Sequence, residues 1–201
     1  MDLGAFERMQ TAVQLVRYRA RTRVVQALTG VQAGAIRSLY REIHGRSPPA
    51  GLMKTSSEGL LRSSDAHLQA SVAARLFVSV SHGLDRVDAR AVLAAYELYE
   101  GLAVGEGEAL DINDLWIIAR DLTASLARFD WCQSCNVDYL VVVDHKRPGC
   151  PLCAKKRRWH CACGKRIRRG HRVCDECVAT HSRQRRVKKQ TLLDGNYLYC
   201  P

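Results

Sequence analysis

The sequence predicts a mainly α fold in two parts: a helical N-terminal domain followed by a small, basic, cysteine-rich C-terminal region stapled by metal. Three observations predict it. Apolar residues recur at steps of three and four through most of residues 6–129, the spacing of one helix face. Eight of the nine cysteines fall in four close pairs between Cys132 and Cys177. The positive charge is confined: residues 146–189 hold 16 Lys/Arg against Asp175 and Glu176, while the rest of the chain carries 15 basic and 18 acidic residues. A chain of 201 residues, 47% hydrophobic, supplies one ordinary core plus a satellite. We expect a helical domain over residues 1–130 for core and partner binding, a metal-binding basic region over 131–180, and a basic, flexible tail over 181–201.

In residues 6–28, Met9, Val13, Val16, Ala20, Val24 and Ala27 form one helical stripe. Arg17, Arg19, Arg21 and Arg23 fall largely off it, as a solvated face. Thr29-Gly30 then caps a second helix facing inward through Val31, Ala35, Ile36, Leu39, Tyr40 and Ile43, which Gly45 ends and Pro48-Pro49 prevent from continuing. Such a pair is either a helix-turn-helix showing Arg37 and Arg41 to DNA or, the preferred interpretation, two core helices with basic outer faces. Residues 54–64 are polar and serine-rich, a loop.

Ser64 or Asp65 caps a helix to about residue 82, with Ala66, Ala70, Ala73, Leu76, Phe77 and Val80 inside. Residues 87–102 follow, with Ala91, Val92, Ala95, Leu98 and Tyr99 inside, and then an acidic, glycine-rich loop over 101–107. Asp111 or Asn113 starts the strongest amphipathic segment, whose stripe of Leu115, Trp116, Ile118, Ala119, Leu122 and Leu126 runs to Phe129. Alanine at many inner positions predicts closely packed helix pairs. After Trp131 the pattern changes: residues 139–143 read as a short strand, and 181–190 are nearly all charge, disordered without a partner.

Cys132-x-x-Cys135 and Cys150-x-x-Cys153 are separated by 14 residues, enough for a small hairpin between two ligand pairs of a zinc site. Cys161-x-Cys163 and Cys174-x-x-Cys177 are separated by ten, a less regular spacing for a second zinc in which His160 or His171 can replace a sulfur. Gly164 lies where a backbone N–H can turn towards a thiolate. Four pairs combine into two sites in three ways, including the cross-brace of RING-type domains. Four thiolates close a site, so either zinc is structural and its binding is coupled to folding. Cys200 is left over.

Four thiolates leave each ion at −2, which a few of the neighbouring cations offset. The surplus asks for phosphate, and Lys155, Lys156, Arg157, Arg158, Lys165, Arg166, Arg168, Arg169, Arg172, Arg183, Arg185, Arg186, Lys188 and Lys189 are the candidate contacts. Purely apolar stretches such as residues 140–143 are far too short to span a membrane, and residues 1–9 carry no signal-peptide pattern. We expect a soluble cytoplasmic protein. Catalysis has no motif: His44, His67 and His82 are isolated, and no phosphate loop occurs.

The run Ile36-Arg37-Ser38-Leu39-Tyr40-Arg41-Glu42-Ile43-His44-Gly45, followed by Ser47-Pro48-Pro49, the helical stretch to Phe129 and the Cys132/Cys135 and Cys150/Cys153 pairs, resembles the FlhC family, larger subunits of bacterial flagellar master transcription activators. The resemblance spans residues 9–153. It implies a complex with FlhD subunits, one zinc on Cys132, Cys135, Cys150 and Cys153, DNA binding upstream of flagellar promoters, and recruitment of RNA polymerase. Cys161 to Cys177 lie beyond the family pattern. The competing interpretation is a zinc-ribbon protein that binds RNA or ribosomes; Trp159, the sole aromatic in 146–189, offers little base stacking for it. A nuclease or cross-brace ligase would need acidic ligands or a partner groove that no sequence feature supplies.

Overall fold

A computed structural model of the chain describes residues 3–102, 109–143, 149–161, 163–167 and 173–180. The expected loop over 101–107 and the basic segment beyond residue 180 therefore lie largely or wholly outside the described residues. The chain divides into two compact units, residues 1–151 and 152–201. The fold is mainly α, with a small two-stranded sheet and a cysteine-rich C-terminal region.

Helices α1 (Leu3–Arg17), α2 (Thr22–Thr29) and α3 (Ala33–His44) pack on one another at the start of the first unit. The single helix expected over residues 6–28 is thus two. Arg19 takes a left-handed φ of 61°, and the amide of Ala20 donates to the carbonyl of Leu15 at 2.9 Å, closing α1 as a Schellman-type turn. The Arg21 amide then donates to Asn113 Oδ1 at 2.8 Å, anchoring the break to a later helix. Val16, Ala20 and Val24 are fully buried as expected, but Ala12, Leu15 and Val25 complete the inner face, while Met9 and Ala27 are exposed.

Thr29 ends α2 rather than capping α3: its Oγ1 donates to the Val25 carbonyl and accepts from the Val31 amide. Gly30 (φ 70°) makes the turn, and Gly45 (φ 66°) closes α3. Ile36 and Tyr40 are buried, and Arg37 and Arg41 are exposed.

Residues 54–64, expected as loop, contain a 3₁₀ turn, Ser57–Leu61, with Ser57 and Leu60 buried. What fixes it is Asp121, fully buried, whose Oδ2 accepts from the Ser57 amide at 2.7 Å while Arg120 donates to both Asp121 Oδ1 and the Thr55 carbonyl. Lys54 adds an ion pair with Asp114 at 2.7 Å.

Helix α4 (Ser64–Val80) is the centre of the unit, touching α5 (Ala89–Glu100), α6 (Ile112–Thr123) and the sheet. Its alanines Ala70, Ala73 and Ala74 are fully buried and let neighbours approach closely. Ser63, Asp88 and Asp111 cap α4, α5 and α6 by accepting from N-terminal amides. Leu98, expected inside, is 50% exposed.

The last predicted helix stops early. α6 ends at Thr123, Ser125 turns left-handed (φ 56°), and the Leu126 amide donates to the Asp121 carbonyl at 2.8 Å. Ala127–Cys132 is strand β1, antiparallel to β2 (Val137–Val142), with Phe129 opposite Leu140. Phe129 therefore packs on the core from a strand, and Leu126 is exposed. Helix α7 (Pro151–Trp159) follows. No helix among the described residues is long and apolar enough to cross a membrane.

Candidate metal centres

The first two cysteines sit at the tip of the β1–β2 hairpin. Cys132 ends β1, and its carbonyl accepts from the amides of Cys135 at 3.3 Å and Asn136 at 2.8 Å. Asn136 has φ 53°, the left-handed conformation asparagine tolerates, and it returns the chain into β2. A turn this tight places Cys132 and Cys135 side by side.

Cys150 immediately precedes α7, and Cys153 lies in its first turn. Pro151 suits the first helical position because its missing N–H would have no helical partner. The sulfurs of Cys132, Cys135, Cys150 and Cys153 all lie within 4.8 Å of one another. Metal–sulfur bonds of about 2.3 Å put tetrahedral ligands about 3.8 Å apart, so the set fits one ion. Cys150 and Cys153 lie at the N-terminal end of α7, where the positive end of the helix dipole favours thiolate.

The hairpin is itself fastened to α4. Leu140 sends both backbone groups away from β1: its amide donates to Ser71 Oγ at 3.0 Å, and its carbonyl accepts from His67 Nε2 at 2.6 Å. Arg75 adds an ion pair to Asp138 at 3.0 Å and lies 5.3 Å from the Phe129 ring centre. The outer edge of a two-stranded sheet is thereby covered by side chains of the core helix.

Within the second unit, Cys161, Cys163, Cys174 and Cys177 also have sulfurs within 4.8 Å of one another. His160 bridges Arg166, the Cys161 amide donates to the Lys165 carbonyl at 2.8 Å, and the Gly164 amide donates to the Cys161 carbonyl at 2.8 Å. Gly164 closes this turn at φ 85°, and the amides aimed at the Cys161 sulfur are those of Cys163, its neighbour in the turn, and Cys174. They hold the Cys161 pKa at about 6. Cys177 is pushed up to about 12 by its hydrogen bonds to Cys163, Cys174 and Cys161. Four thiols this close do not all ionise unaided; a cation held among them would supply the missing charge.

The pairs therefore combine first with second and third with fourth, not as a cross-brace. Four cysteines make up each set, so neither His160, which is exposed, nor His171, outside the described residues, is needed to complete the second. Spacing gave the ligands but not the helix starts behind them. The available signal was proline after the first cysteine of one pair and Asp-Glu inside the other, both favoured in a first helical turn.

Among the candidate phosphate contacts, Lys155 is half-buried, Arg166 is exposed, and Lys165 is paired with Glu176. The side chains of Lys156, Arg157 and Arg158, and the whole of Arg168, Arg169, Arg172, Arg183, Arg185, Arg186, Lys188 and Lys189, lie outside the described residues.

Residues 3–166 match the family model described as flagellar transcriptional activator (FlhC). The chain is similar to proteins named flagellar transcriptional regulator FlhC. That of Cupriavidus necator is 27% identical over 157 residues, covering 76% of this chain and 76% of that protein. That of Gallionella capsiferriformans is 25% identical over 158 residues, covering 75% and 85%. That of Serratia marcescens is 25% identical over 156 residues, covering 75% and 79%.

Proposed function

Since the chain belongs to the FlhC family of flagellar transcriptional activators, we propose that it is the DNA-binding subunit of an activator of flagellar genes, working in a cytoplasmic hetero-oligomer with an FlhD-type subunit and recruiting RNA polymerase. The family is one of transcriptional regulators, which is not an enzyme class. The observation that carries the DNA reading is the coincidence of charge and clustered cysteines: 16 Lys/Arg against two acids fall in residues 146–189, the stretch that contains six of the eight clustered cysteines.

In this reading Cys132, Cys135, Cys150 and Cys153 hold a structural Zn²⁺. Closed sets of four soft thiolates suit zinc, and no ligand position is left for a reacting water. The residues around the site do the positioning. His67, Ser71 and Arg75 hold the hairpin on α4, and the hairpin tip and the first turn of α7 supply the sulfurs. Lys155, Lys156, Arg157 and Arg158 ride on α7 directly behind Cys153. With Arg166, Arg168, Arg169 and Arg172 beyond them and Arg183, Arg185, Arg186, Lys188 and Lys189 in the tail, they contact phosphates, which sets orientation on the duplex without reading bases; Lys165 is paired with Glu176 instead. The helical domain, residues 1–130, provides the core and the partner contacts.

Co-expression with an FlhD-type subunit tests this reading. Co-purification at the mass of a hetero-oligomer that footprints flagellar promoter DNA is the expected result. A chain that captures no such subunit and leaves no footprint would send the reading back to an RNA-binding zinc ribbon.

A further inference from the structure

We propose that Cys161, Cys163, Cys174 and Cys177 bind a second, separate Zn²⁺ that folds residues 160–180, and that the two centres are one structural plan used twice. The plan is visible in the backbone. In each centre the first two sulfurs come from a tight turn closed by amides donating to the carbonyl of its first cysteine, Cys132 in one case and Cys161 in the other. In each, a left-handed residue completes that turn, Asn136 or Gly164. In each, the third sulfur immediately precedes a helix and the fourth lies in its first turn: Cys150 and Cys153 at α7, Cys174 and Cys177 at the helical segment 175–180. The amide of Val178 donates to the Cys174 carbonyl at 3.0 Å, fixing that start.

The apolar content of the second centre argues for an ion. Its buried cluster among the described residues is Cys161, Ile167 and Cys174, with Val173 and Cys177 packed against it. Among the described residues the aliphatic side chains of that cluster are Ile167 and Val173, too little apolar surface to offset the conformational entropy of ordering the backbone around the cysteines, which costs about 1–2 kcal/mol for each backbone unit fixed. Coordination does so, because binding four thiolates is folding for a segment this small. A disulfide pair is the competing use of four thiols, but the Cys163 and Cys174 sulfurs are 3.5 Å apart, against about 2.05 Å for a bond. Lys165 pairs with Glu176 across the turn and the helical segment, tying the two ligand-bearing halves together from outside.

The family match stops at residue 166, so Cys174 and Cys177 complete this centre from outside the matched stretch. The site does not depend on the DNA reading, and metal content separates the two. The experiment is zinc released per chain from the purified full-length protein, with its FlhD-type subunit where they co-purify, measured alongside free thiols under non-reducing denaturation. Two zincs per chain are expected, falling to one in Cys174→Ser/Cys177→Ser and to one in Cys132→Ser/Cys135→Ser. Cobalt substitution of the wild type should give a thiolate charge-transfer band that halves in Cys174→Ser/Cys177→Ser, a readout that survives if the other variant fails to fold. One zinc per wild-type chain, no loss in Cys174→Ser/Cys177→Ser, or four thiols missing as disulfides would overturn the second centre.

Discussion

His67 on α4 and Leu140 on β2 are joined by a contact of 2.6 Å from ring Nε2 to carbonyl oxygen, at a position where His67 is 2% exposed. A carbonyl oxygen can only accept, so Nε2 carries the hydrogen. This one ring ties the helical core to the strand that leads back from the first metal-binding turn. Replacing His67 by Leu leaves the buried Leu140 carbonyl without that donor and should lower stability by about 1–3 kcal/mol, read by denaturant unfolding.

The same ring makes stability depend on pH. Burial lowers the His67 pKa below its usual 6.5, against the smaller opposing pull of the Leu140 carbonyl. The unfolded chain therefore takes up a proton that the folded chain refuses. This contribution is complete above about pH 6.5 and is lost as pH falls from there towards the folded-state value. Cysteine protonation and metal release act over the same range, so the difference between wild type and His67→Leu isolates the ring. That difference should shrink on acidification from pH 7.5 to 5.5; a difference that stays constant would assign His67 no titration.

Asp121 has a different role from the surface ion pairs. It is fully buried, accepts from the Ser57 amide, and is held by Arg120, whose ring-face contact with Trp116 is 5.3 Å. Asp121→Ala should cost about 2–3 kcal/mol, because it strands a buried amide that had a charged acceptor. Glu7→Ala, which removes an exposed pair with Arg90, should stay within about 0.5 kcal/mol. Parallel thermal melts check the ordering.

Metal removal should be visible at Trp131. It is 56% exposed on β1, directly before Cys132. In a Trp159→Phe background, which removes the tryptophan beside Cys161, chelation should release the hairpin tip and shift Trp131 emission, and adding Trp131→Phe should remove that shift while leaving the metal content unchanged.

Much of this architecture is legible in the sequence, and its gaps share a cause. Asp88, Asp111 and Gly45 signal their helix ends by type, and cysteine spacing names both ligand sets. The two helix ends that escape prediction close on Arg19 and Ser125, left-handed residues that are not glycine. Such turns are held by distant partners, as Arg21 is by Asn113, and a local pattern carries no trace of them. β1 is hidden because Leu126 and Phe129 prolong the apolar period of α6; its strand state comes from pairing with Val137–Val142. α7 is hidden because Lys155 to Arg158 replace the apolar stripe with charge. The phosphate contacts were read from charge alone, and Lys165 illustrates the limit of that: Glu176 already occupies it.

The most direct test of the central claim is the affinity of the protein, with its FlhD-type subunit, for flagellar promoter DNA across a salt series. Log affinity should fall linearly with log salt, at roughly −0.9 for each phosphate contacted. Neutralising Lys155 and Arg166 together should weaken binding and reduce the slope by about two units. An affinity that does not change with salt, or a slope untouched by those substitutions, would contradict the assignment of the basic, metal-built region to DNA.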